Sequence, residues 1–554
     1  MKAFSTLCFS LLTLFFCSSS LAYADALRCE ALATQAPDNV MIEARLHAPS
    51  KDVTASFCLV SGVMAQRMGV DGKRYAVRFE LRLPQYWQGR FAYQFNSGYG
   101  GEVSPAIGKL TGLTSRQFAI NQGFAVVSSN GGHDATQYPE DGLAGFAGFG
   151  HDPEARRYYG YATMQALNPI ARALVESYYQ APIRYAYGLG QSHGGRMAMV
   201  AASRFPEMFD GLLIGYPGFN SPKAALQHAW DVQALRRVDD KIQQALSKRD
   251  LMIFTKRLLD ECDALDGISD DMIFAVEPCQ KKFQPTALVC KSRFDRDCLP
   301  LNTVAALIRM QRGPHNSQNQ SLYSSWVYDT GMRSDNWRTW KVESTLSGLD
   351  NQPMGAVVGA AALAHLFSTP PSRVPGDIYA LEHYLFTFDF DKDAPKIYAT
   401  NQQFKTSAMA LMTPPGAIKP TLTEFKAAGG KMILFHGNSD PVFSVKDTVR
   451  WYDFLDFGLV GRTHEFVRLY RVPGMPHGEG GPSADRFNLL QPLVSWVESN
   501  QAPQEVVAAT RADNPEITAR MAGITRPLCP YPAYAQYQQG DLRQASSFQC
   551  VVSQ

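Results

Sequence analysis

The pentapeptide Gly190-Gln191-Ser192-His193-Gly194 decides the fold class of this chain. It follows a predicted buried strand, 185–189, and precedes a predicted helix, 197–202. A serine on so sharp a strand-to-helix turn projects from the sheet as a nucleophile, and the glycines let the turn close without a Cβ clash. G-x-S-x-G turns also occur by chance, so a catalytic interpretation requires partner residues elsewhere in the chain.

The partners that a nucleophilic serine requires are a histidine base and an acid, in the chain order Ser, Asp, His for α/β-hydrolases. Asp440 follows a predicted strand at 431–437, and His477 follows another at 466–472. Singly, Asp440 is also explained as a turn residue and His477 as a loop histidine. Together, in this order and each at a strand exit, the three residues predict a Ser192–His477–Asp440 triad.

An oxyanion hole is expected from two backbone amides. One belongs to His193, the residue after the nucleophile. The other is expected from the glycine-rich loop 96–101, which follows a predicted strand at 91–95. Its donor is Gly98, Tyr99 or Gly100, and a plain flexible turn is the alternative interpretation of this loop.

Length and composition indicate an ordinary globular protein. The chain has 554 residues, of which 45% are hydrophobic and 19% charged, enough for a sizeable core in one elaborated domain or two. The net charge of +2, without a basic cluster, predicts no nucleic-acid partner. No pattern indicates an oligomeric state.

Residues 1–24 predict a cleaved signal peptide, because Lys2, a short apolar run and the small-residue site Ala22-Tyr23-Ala24 precede Asp25. The run is too short to span a membrane, and no later segment is apolar enough to do so. The mature protein is therefore predicted to be periplasmic or secreted, without a membrane partner.

The cysteines agree with an oxidising compartment. Of 10 cysteines, Cys8 and Cys17 lie in the signal peptide. Metal binding is the alternative use of the others, but no C-x-x-C pair occurs. The others form sequence-local couples, which predict the disulfides Cys29–Cys58, Cys262–Cys279, Cys290–Cys298 and Cys529–Cys550.

Strand and helix patterns predict an α/β-hydrolase fold with a large insertion. A β-rich lead-in runs to about residue 90, and strands and helices then alternate until Pro217, which predicts a mostly parallel sheet. The alternation resumes before Lys431, so an insertion separates nucleophile and acid, as is typical of a lid. The predicted divisions are signal peptide 1–24, core 25–218, lid 219–405 and core 406–554.

An acidic segment in the insertion, Cys262-Asp263-x-x-Asp266-Gly267-x-x-Asp270, holds carboxylates suited to a hard cation. Its spacing is not that of an EF-hand, and the residues alone favour an exposed acidic turn.

Five motifs together resemble the tannase and feruloyl esterase family of α/β-hydrolases, over nearly all of the mature chain. They are the strand-to-helix turn Gly190–Gly194 around Ser192 (the elbow), the acidic segment, Gly429-Gly430-Lys431 leading to His436-Gly437-x-x-Asp440-Pro441, Gly474-Met475-Pro476-His477, and Arg526-Pro527-Leu528-Cys529-Pro530.

The resemblance implies a structural calcium ion that stabilises the lid together with its disulfides. Its ligands would be the side chains of Asp263, Asp266 and Asp270 and the backbone oxygens of Ile268 and Met272. The cysteine couples also look like the family's pairs.

The resemblance also implies a serine carboxylic ester hydrolase that acts on aromatic acid esters: gallates, hydroxycinnamates, or terephthalate and phthalate monoesters. Phe443 matches a position that lines the family's pocket. In the lid, Trp326, Trp337 and Trp340 could cover an aromatic ring, with lid core as the alternative for each, and Arg333 or Arg338 could meet a carboxylate. The alternatives are an esterase for aliphatic hydroxyalkanoate or simple acyl esters, and a non-catalytic binding protein, against which the intact triad argues.

One departure from the family concerns a cysteine pair that usually ties the serine and histidine loops together. Gln191 and Gly478 stand at these positions. Something else must therefore hold His477 near Ser192, and a hydrogen bond from the Gln191 amide is one hypothesis.

Overall fold

The structure, a computed structural model, describes residues 25–292 and 294–552. The predicted signal peptide, with Cys8 and Cys17, lies outside these described residues. Within them, we find no helix of the length and apolar character that crossing a bilayer requires.

A nine-stranded sheet in the order β1-β2-β3-β5-β4-β6-β7-β8-β9 forms the centre of the molecule. The pairs β1–β2, β2–β3 and β3–β5 are antiparallel, and the five pairs that follow in this order, from β5–β4 to β8–β9, are parallel. The mostly parallel sheet and the β-rich lead-in are as predicted. The strands are β1 (Met41–His47), β2 (Phe57–Met68), β3 (Arg74–Pro84), β4 (Arg90–Gln94), β5 (Phe124–Ser129), β6 (Tyr185–Gln191), β7 (Gly211–Gly215), β8 (Lys431–Gly437) and β9 (Val467–Val472).

Helices cover both faces of this sheet, which explains why β7 is buried along its whole length. The helix Thr163–Tyr179 and the helix after Ser192 pack in one hydrophobic cluster, and Leu490–Ser499 packs in another. The α-helices are Pro153–Arg157, Thr163–Tyr179, His193–Arg204, Ser221–Leu235, Lys248–Cys262, Val276–Lys282, Leu301–Arg312, Asp335–Lys341, Ile378–Phe386, Ala408–Met412, Thr423–Ala427, Val445–Gly458 and Leu490–Ser499.

The segment between β7 and β8 forms a third hydrophobic cluster, built mainly from its own helices. Its described residues add no strand to the central sheet. Two π-helical stretches, Gly355–Gly359 and Ala362–Phe367, lie in this segment. Its role as a lid with bounds 219–405 stays a prediction.

The structure contains all four predicted disulfides. Cys29–Cys58 ties the N-terminal residues to β2, and the next two pairs lie in the insertion. Cys529–Cys550 joins the two small sheets that end the chain, β10–β11 (Val506–Ala509, Thr525–Leu528) and β12–β13 (Ala533–Tyr537, Phe548–Val552). Each bond closes a short sequence-local loop and so restricts the unfolded chain.

Candidate active site

Ser192 lies at the turn from β6 into the helix His193–Arg204, with φ of 58° and ψ of −121°. Such a backbone is strained for a residue with a side chain. Gly190 and Gly194 allow the close approaches around it. A Cβ at Gly190 would collide with the carbonyl of Gly194, and one at Gly194 would lie 2.7 Å from the carbonyl oxygen of Phe95. The strand-to-helix turn predicted from the pentapeptide is therefore present.

The three predicted triad side chains lie in hydrogen-bond contact. His477 Nδ1 is 2.8 Å from Asp440 Oδ2, and His477 Nε2 is 3.0 Å from Ser192 Oγ. Because a carboxylate only accepts, Nδ1–H donates to Asp440, which leaves Nε2 to accept the Ser192 hydroxyl proton. This tautomer is the one that general-base activation of a serine requires.

Asp440 is buried and its carboxylate is fully partnered. Oδ1 accepts hydrogen bonds from the amides of Val442 at 2.7 Å and Phe443 at 3.0 Å, and Oδ2 lies 3.2 Å from His436 Nε2. Burial works to raise the pKa of Asp440, but the neighbouring His477 and the hydrogen bonds from His436 and His477 lower it below its usual value. The carboxylate is therefore ionised and able to stabilise an imidazolium.

The loop 96–101 and the start of the helix after Ser192 line the same cavity, which has a volume of about 500 Å³. Gly98 adopts φ of +72°, and the carbonyl of Tyr99 accepts a hydrogen bond from His133 Nε2 at 2.7 Å. Ser97 Oγ donates to the carbonyl of Gln191 at 3.1 Å, which ties the loop to the elbow. All four residues predicted for the oxyanion hole, His193, Gly98, Tyr99 and Gly100, line this cavity with Ser192 and His477.

The side chain of His193 faces a different environment from its amide. Its ring stacks on Tyr159 at 4.1 Å, and Arg196 Nε donates to His193 Nδ1 at 3.2 Å. Burial, reinforced by Arg196, lowers the pKa of His193 well below its usual value. The imidazole is therefore neutral and part of the packing beneath the elbow.

Phe443 lines the cavity, as the family resemblance implied, with its ring edge-on to His477 at 5.5 Å. Of the unassigned tryptophans, Trp340 lines it and also meets His477 edge-on, at 6.0 Å. Trp326 and Trp337 are buried in hydrophobic clusters. Phe146, Ser221 and His228 also line the cavity, and the sequence did not predict them because they belong to no motif.

Neither arginine candidate lines the cavity. Arg338 is buried, where its guanidinium donates to the carbonyl of Leu246 at 2.8 Å and pairs with Glu343 at 2.9 Å. Arg333 ends a short 3-10 turn outside the lining. The expectation that one of them meets a substrate carboxylate is not supported by their positions.

Gln191 contacts Thr111 rather than His477. Its Oε1 accepts from the amide of Thr111 at 3.0 Å and from its hydroxyl at 3.2 Å, and that hydroxyl lies 2.9 Å from the Tyr216 hydroxyl. The Tyr216 ring meets His477 edge-on at 4.8 Å, and a Cβ at Gly478 would lie 4.0 Å from the Tyr216 hydroxyl. The hypothesis of a direct Gln191–His477 bond is therefore replaced by a chain of contacts through Thr111 and Tyr216.

The insertion holds the histidine loop from the other side. Asp329 Oδ2 accepts hydrogen bonds from Ser439 Oγ and from the amide of Gly474, each at 2.7 Å, so one carboxylate bridges the acid loop and the base loop. Asn336 Nδ2 donates to the carbonyl of His477 at 3.0 Å. Neither Asp329 nor Asn336 belongs to a sequence motif, so the sequence did not predict their roles.

The three acidic residues predicted to bind calcium are buried, which contradicts an exposed acidic turn. Burial, with repulsion between the carboxylates, raises the pKa of Asp263 to about 7 and that of Asp266 to about 8. Asp270 pairs with Arg526, whose Nε lies 2.9 Å from its carboxylate. The one guanidinium pairs with Asp270 alone, and a bound cation would favour ionisation of the other two carboxylates, so the donor set fits a hard cation.

The side chains are not, however, arranged as a complete ligand shell. Over residues 25–292 and 294–552, no group of three or more His, Cys, Asp or Glu side chains is placed to hold a metal ion. The amides of Asp270 and Asp271 donate to Asp263 at 3.3 Å and 3.1 Å. Calcium binding by this segment, including the Ile268 and Met272 carbonyls, stays a prediction.

Comparisons with known proteins show which family this chain resembles over nearly its whole length. Residues 58–551 match the family described as tannase and feruloyl esterase. The chain is 36% identical over 520 residues to the mono(2-hydroxyethyl) terephthalate hydrolase of Piscinibacter sakaiensis, covering 89% of this chain and 85% of that protein. Among solved structures, feruloyl esterase B from Aspergillus oryzae superposes with a TM-score of 0.75 at 20% identity, covering 95% of this chain and 100% of its own. Tannin acyl hydrolase from Aspergillus niger superposes with a TM-score of 0.67 at 20% identity, covering 95% of each chain.

Replacing Asp440 by Asn tests the assigned tautomer. We expect kcat toward 4-nitrophenyl butyrate to fall by roughly 10⁴, because the amide would favour the wrong tautomer of His477. Ser192→Ala sets the level of zero triad activity, and circular dichroism checks the fold of both variants. Retention of more than a tenth of the wild-type kcat by Asp440→Asn would contradict the assignment.

Removing single hydroxyl groups tests the contacts through Thr111 and Tyr216. Thr111→Val and Tyr216→Phe each break their shared hydrogen bond and keep the side-chain shape, so we expect kcat to fall about five- to tenfold with little change in KM. The double variant should lose no more than Thr111→Val alone, because that substitution already removes the bond to Tyr216 together with the hydroxyl bond to Gln191 Oε1. Tyr179→Phe, which loses a 2.6 Å bond to the Pro84 carbonyl outside the cavity lining, is the matched control. If Thr111→Val, Tyr216→Phe and the double variant kept the kcat of the wild type, as the control is expected to do, the chain of contacts would not position His477.

Proposed function

The chain belongs to the tannase and feruloyl esterase family, a family of carboxylic ester hydrolases, and from this premise we propose that it is a secreted serine esterase for aromatic acid esters. The catalytic residues would be Ser192, His477 and Asp440. The observation that carries the proposal is the contact of His477 with both Ser192 and Asp440 inside a cavity with aromatic walls.

Acylation begins with attack of Ser192 Oγ on the ester carbonyl, while His477 Nε2 takes the hydroxyl proton. The ionised Asp440 stabilises the resulting imidazolium. Negative charge on the carbonyl oxygen meets the His193 amide and an amide of Gly98, Tyr99 or Gly100. Collapse of the tetrahedral intermediate breaks the bond to the alcohol oxygen, which leaves with the proton from His477.

Deacylation repeats these steps with water as the nucleophile. His477 takes a proton from the water, the hydroxide oxygen attacks the acyl carbon, and Ser192 leaves with the proton that His477 returns. The products are a carboxylic acid and the free enzyme. The aromatic rings of Tyr216, Phe443 and Trp340 pack edge-on against His477 and help to keep its imidazole in place in both halves of the reaction.

An aromatic acyl group is supported by the cavity lining and by the relatives. The relative at 36% identity is named for an aromatic ester, mono(2-hydroxyethyl) terephthalate. In this chain Phe146, Phe443 and Trp340 line the cavity, and flat rings pack well against such walls. Trp340 belongs to the insertion and lines the cavity, which supports the proposal that the insertion is a lid over the substrate.

A location in the periplasm or outside the cell is supported by the disulfides, which persist in oxidising compartments. Calcium would be structural: Asp263, Asp266 and Asp270 would hold it, and the ion would offset their buried charge. Neither the acyl transfer nor the proton transfers involve this segment.

A panel of esters tests the proposed function. We expect the purified mature protein to hydrolyse at least one of methyl gallate, methyl ferulate and mono(2-hydroxyethyl) terephthalate with kcat/KM more than about tenfold above that for 4-nitrophenyl butyrate, because the cavity walls favour a ring. Ser192→Ala is the control and should be inactive on all four. Higher kcat/KM for the butyrate than for every aromatic ester would instead favour an aliphatic esterase.

Chelation tests the calcium proposal separately from catalysis. Removing the ion with EGTA should lower the Tm by several degrees, because a ligand bound only to the folded state stabilises it. Adding Ca²⁺ in excess should restore the Tm, and the variant Asp266→Asn should respond to neither treatment. An unchanged Tm after exhaustive chelation would show that the acidic segment folds without calcium.

A further inference from the structure

His228 is a buried histidine in the wall of the cavity that contains Ser192 and His477. It lies on the helix Ser221–Leu235, with 7% of its surface exposed. Two glycines of the π-helical stretch Gly355–Gly359 make room for its ring. A Cβ at Gly355 would lie 2.7 Å from His228 Nδ1, and one at Gly359 would collide with the ring. The imidazole is therefore held in one position by close packing.

The other histidines around the site have hydrogen-bond partners: His133 with the Tyr99 carbonyl, His193 with Arg196, and His436 with Thr448 and Phe443. In the described part of the chain, His228 has no such partner, yet neither of its ring nitrogens is fully enclosed by protein. Buried polar groups are normally hydrogen-bonded. A polar group in the cavity would therefore satisfy His228.

The charge state of His228 limits what that polar group is. Burial, with a smaller effect from Lys341, lowers the pKa of His228 to about 3. At neutral pH the ring is uncharged and presents one N–H donor and one nitrogen acceptor. The cation nearby offers no counter-charge, because Lys341 Nζ is 2.6 Å from Asp231 and both side chains are buried.

Trp340 connects His228 to the reaction centre. Its ring contacts His228 at 6.5 Å and His477, edge-on, at 6.0 Å. Ser192, Trp340 and His228 line one cavity, so an acyl ring that packs on Trp340 while its ester carbon is at Ser192 shares that cavity with the His228 imidazole.

We propose that His228 is a specificity-determining residue of this site, which hydrogen-bonds a hydroxyl group on the acyl ring and makes the enzyme prefer such acyl groups to those carrying a carboxylate. The proposal rests on the proposed function. A hydroxyl group both donates and accepts, so it pairs with either tautomer of the ring. A carboxylate only accepts, and between apolar walls such as Phe146 and Val358 its charge would be desolvated without a cation.

Matched methyl esters test this preference. The two pairs are methyl 4-hydroxybenzoate with methyl 4-methoxybenzoate, and methyl 4-hydroxycinnamate with methyl 4-methoxycinnamate, measured as kcat/KM for the wild type and for His228→Phe. For each pair, kcat/KM of the hydroxy ester is divided by kcat/KM of the methoxy ester, once for the wild type and once for the variant. Dividing the wild-type ratio by the variant ratio cancels the intrinsic reactivity of each ester. We expect this quotient to be about ten for at least one pair, the effect of one buried hydrogen bond. Monomethyl terephthalate should be a poorer substrate of the wild type than the better hydroxylated ester.

Two further variants separate recognition from general damage to the cavity. His228→Asn keeps a neutral donor and acceptor and should retain part of the preference for the hydroxyl group. This variant also allows the test to be made if His228→Phe fails to fold. Phe146→Leu, another change in the lining, should alter kcat/KM for all the esters by a similar factor.

The outcomes distinguish this proposal from the proposed function. Hydrolysis of the aromatic esters with the same hydroxy/methoxy ratios in wild type, His228→Asn and His228→Phe would leave the esterase function in place and overturn the role of His228. A wild-type preference for monomethyl terephthalate would overturn it as well. Failure of the wild type on every aromatic ester would refute the proposed function itself, and the role of His228 with it.

Discussion

The backbone of Ser192 is the constraint on which the rest of the site depends. A φ of 58° on a residue with a side chain costs on the order of 1–3 kcal/mol, and the neighbouring contacts offset this cost. The Ser192 amide donates to the Gly215 carbonyl at 2.9 Å, and its own carbonyl accepts from the amides of Arg196 and Gly218 at 3.1 Å and 3.2 Å. These bonds fix the nucleophile to the exit of β7. Through the close approach of Gly194 to Phe95, the same turn is fixed to the exit of β4, where the oxyanion loop starts.

His477 is positioned differently, because it lies on a loop and not on a strand-to-helix turn. Its imidazole bridges Ser192 and Asp440, its carbonyl accepts from Asn336, and the loop that carries it is bonded to Asp329 through the Gly474 amide. The Tyr216 ring packs edge-on against the imidazole at 4.8 Å. Packing and hydrogen bonds from several parts of the chain thus position His477.

The sequence predicted those parts of the molecule that are encoded locally. The pentapeptide, the apolar strands and the order Ser192, Asp440, His477 were enough for the fold class, which the structure and the comparisons confirm. Proximity along the chain was enough for the disulfide pairs. Asp329, Tyr216 and His228 could not be found in this way, because each acts through partners that only the folded chain brings near. The sequence also could not locate Arg333 and Arg338 relative to the cavity, because packing and not composition decides where a side chain lies.

The contacts of Asp329 and Asn336 have a consequence for how this protein can diverge. An insertion between two strands is often regarded as a module that relatives exchange to acquire new substrates. Here the insertion contains two classes of positions. Met354, Val358 and Ala362 line the cavity, so their side chains can change with the substrate, whereas Asp329 and Asn336 are bonded to the loops of the acid and the base. If the insertion were replaced by one that lacked Asp329 and Asn336, the pocket would change but His477 would lose these supporting bonds. Substrate specificity can therefore change more readily by substitution of single side chains than by exchange of the whole segment.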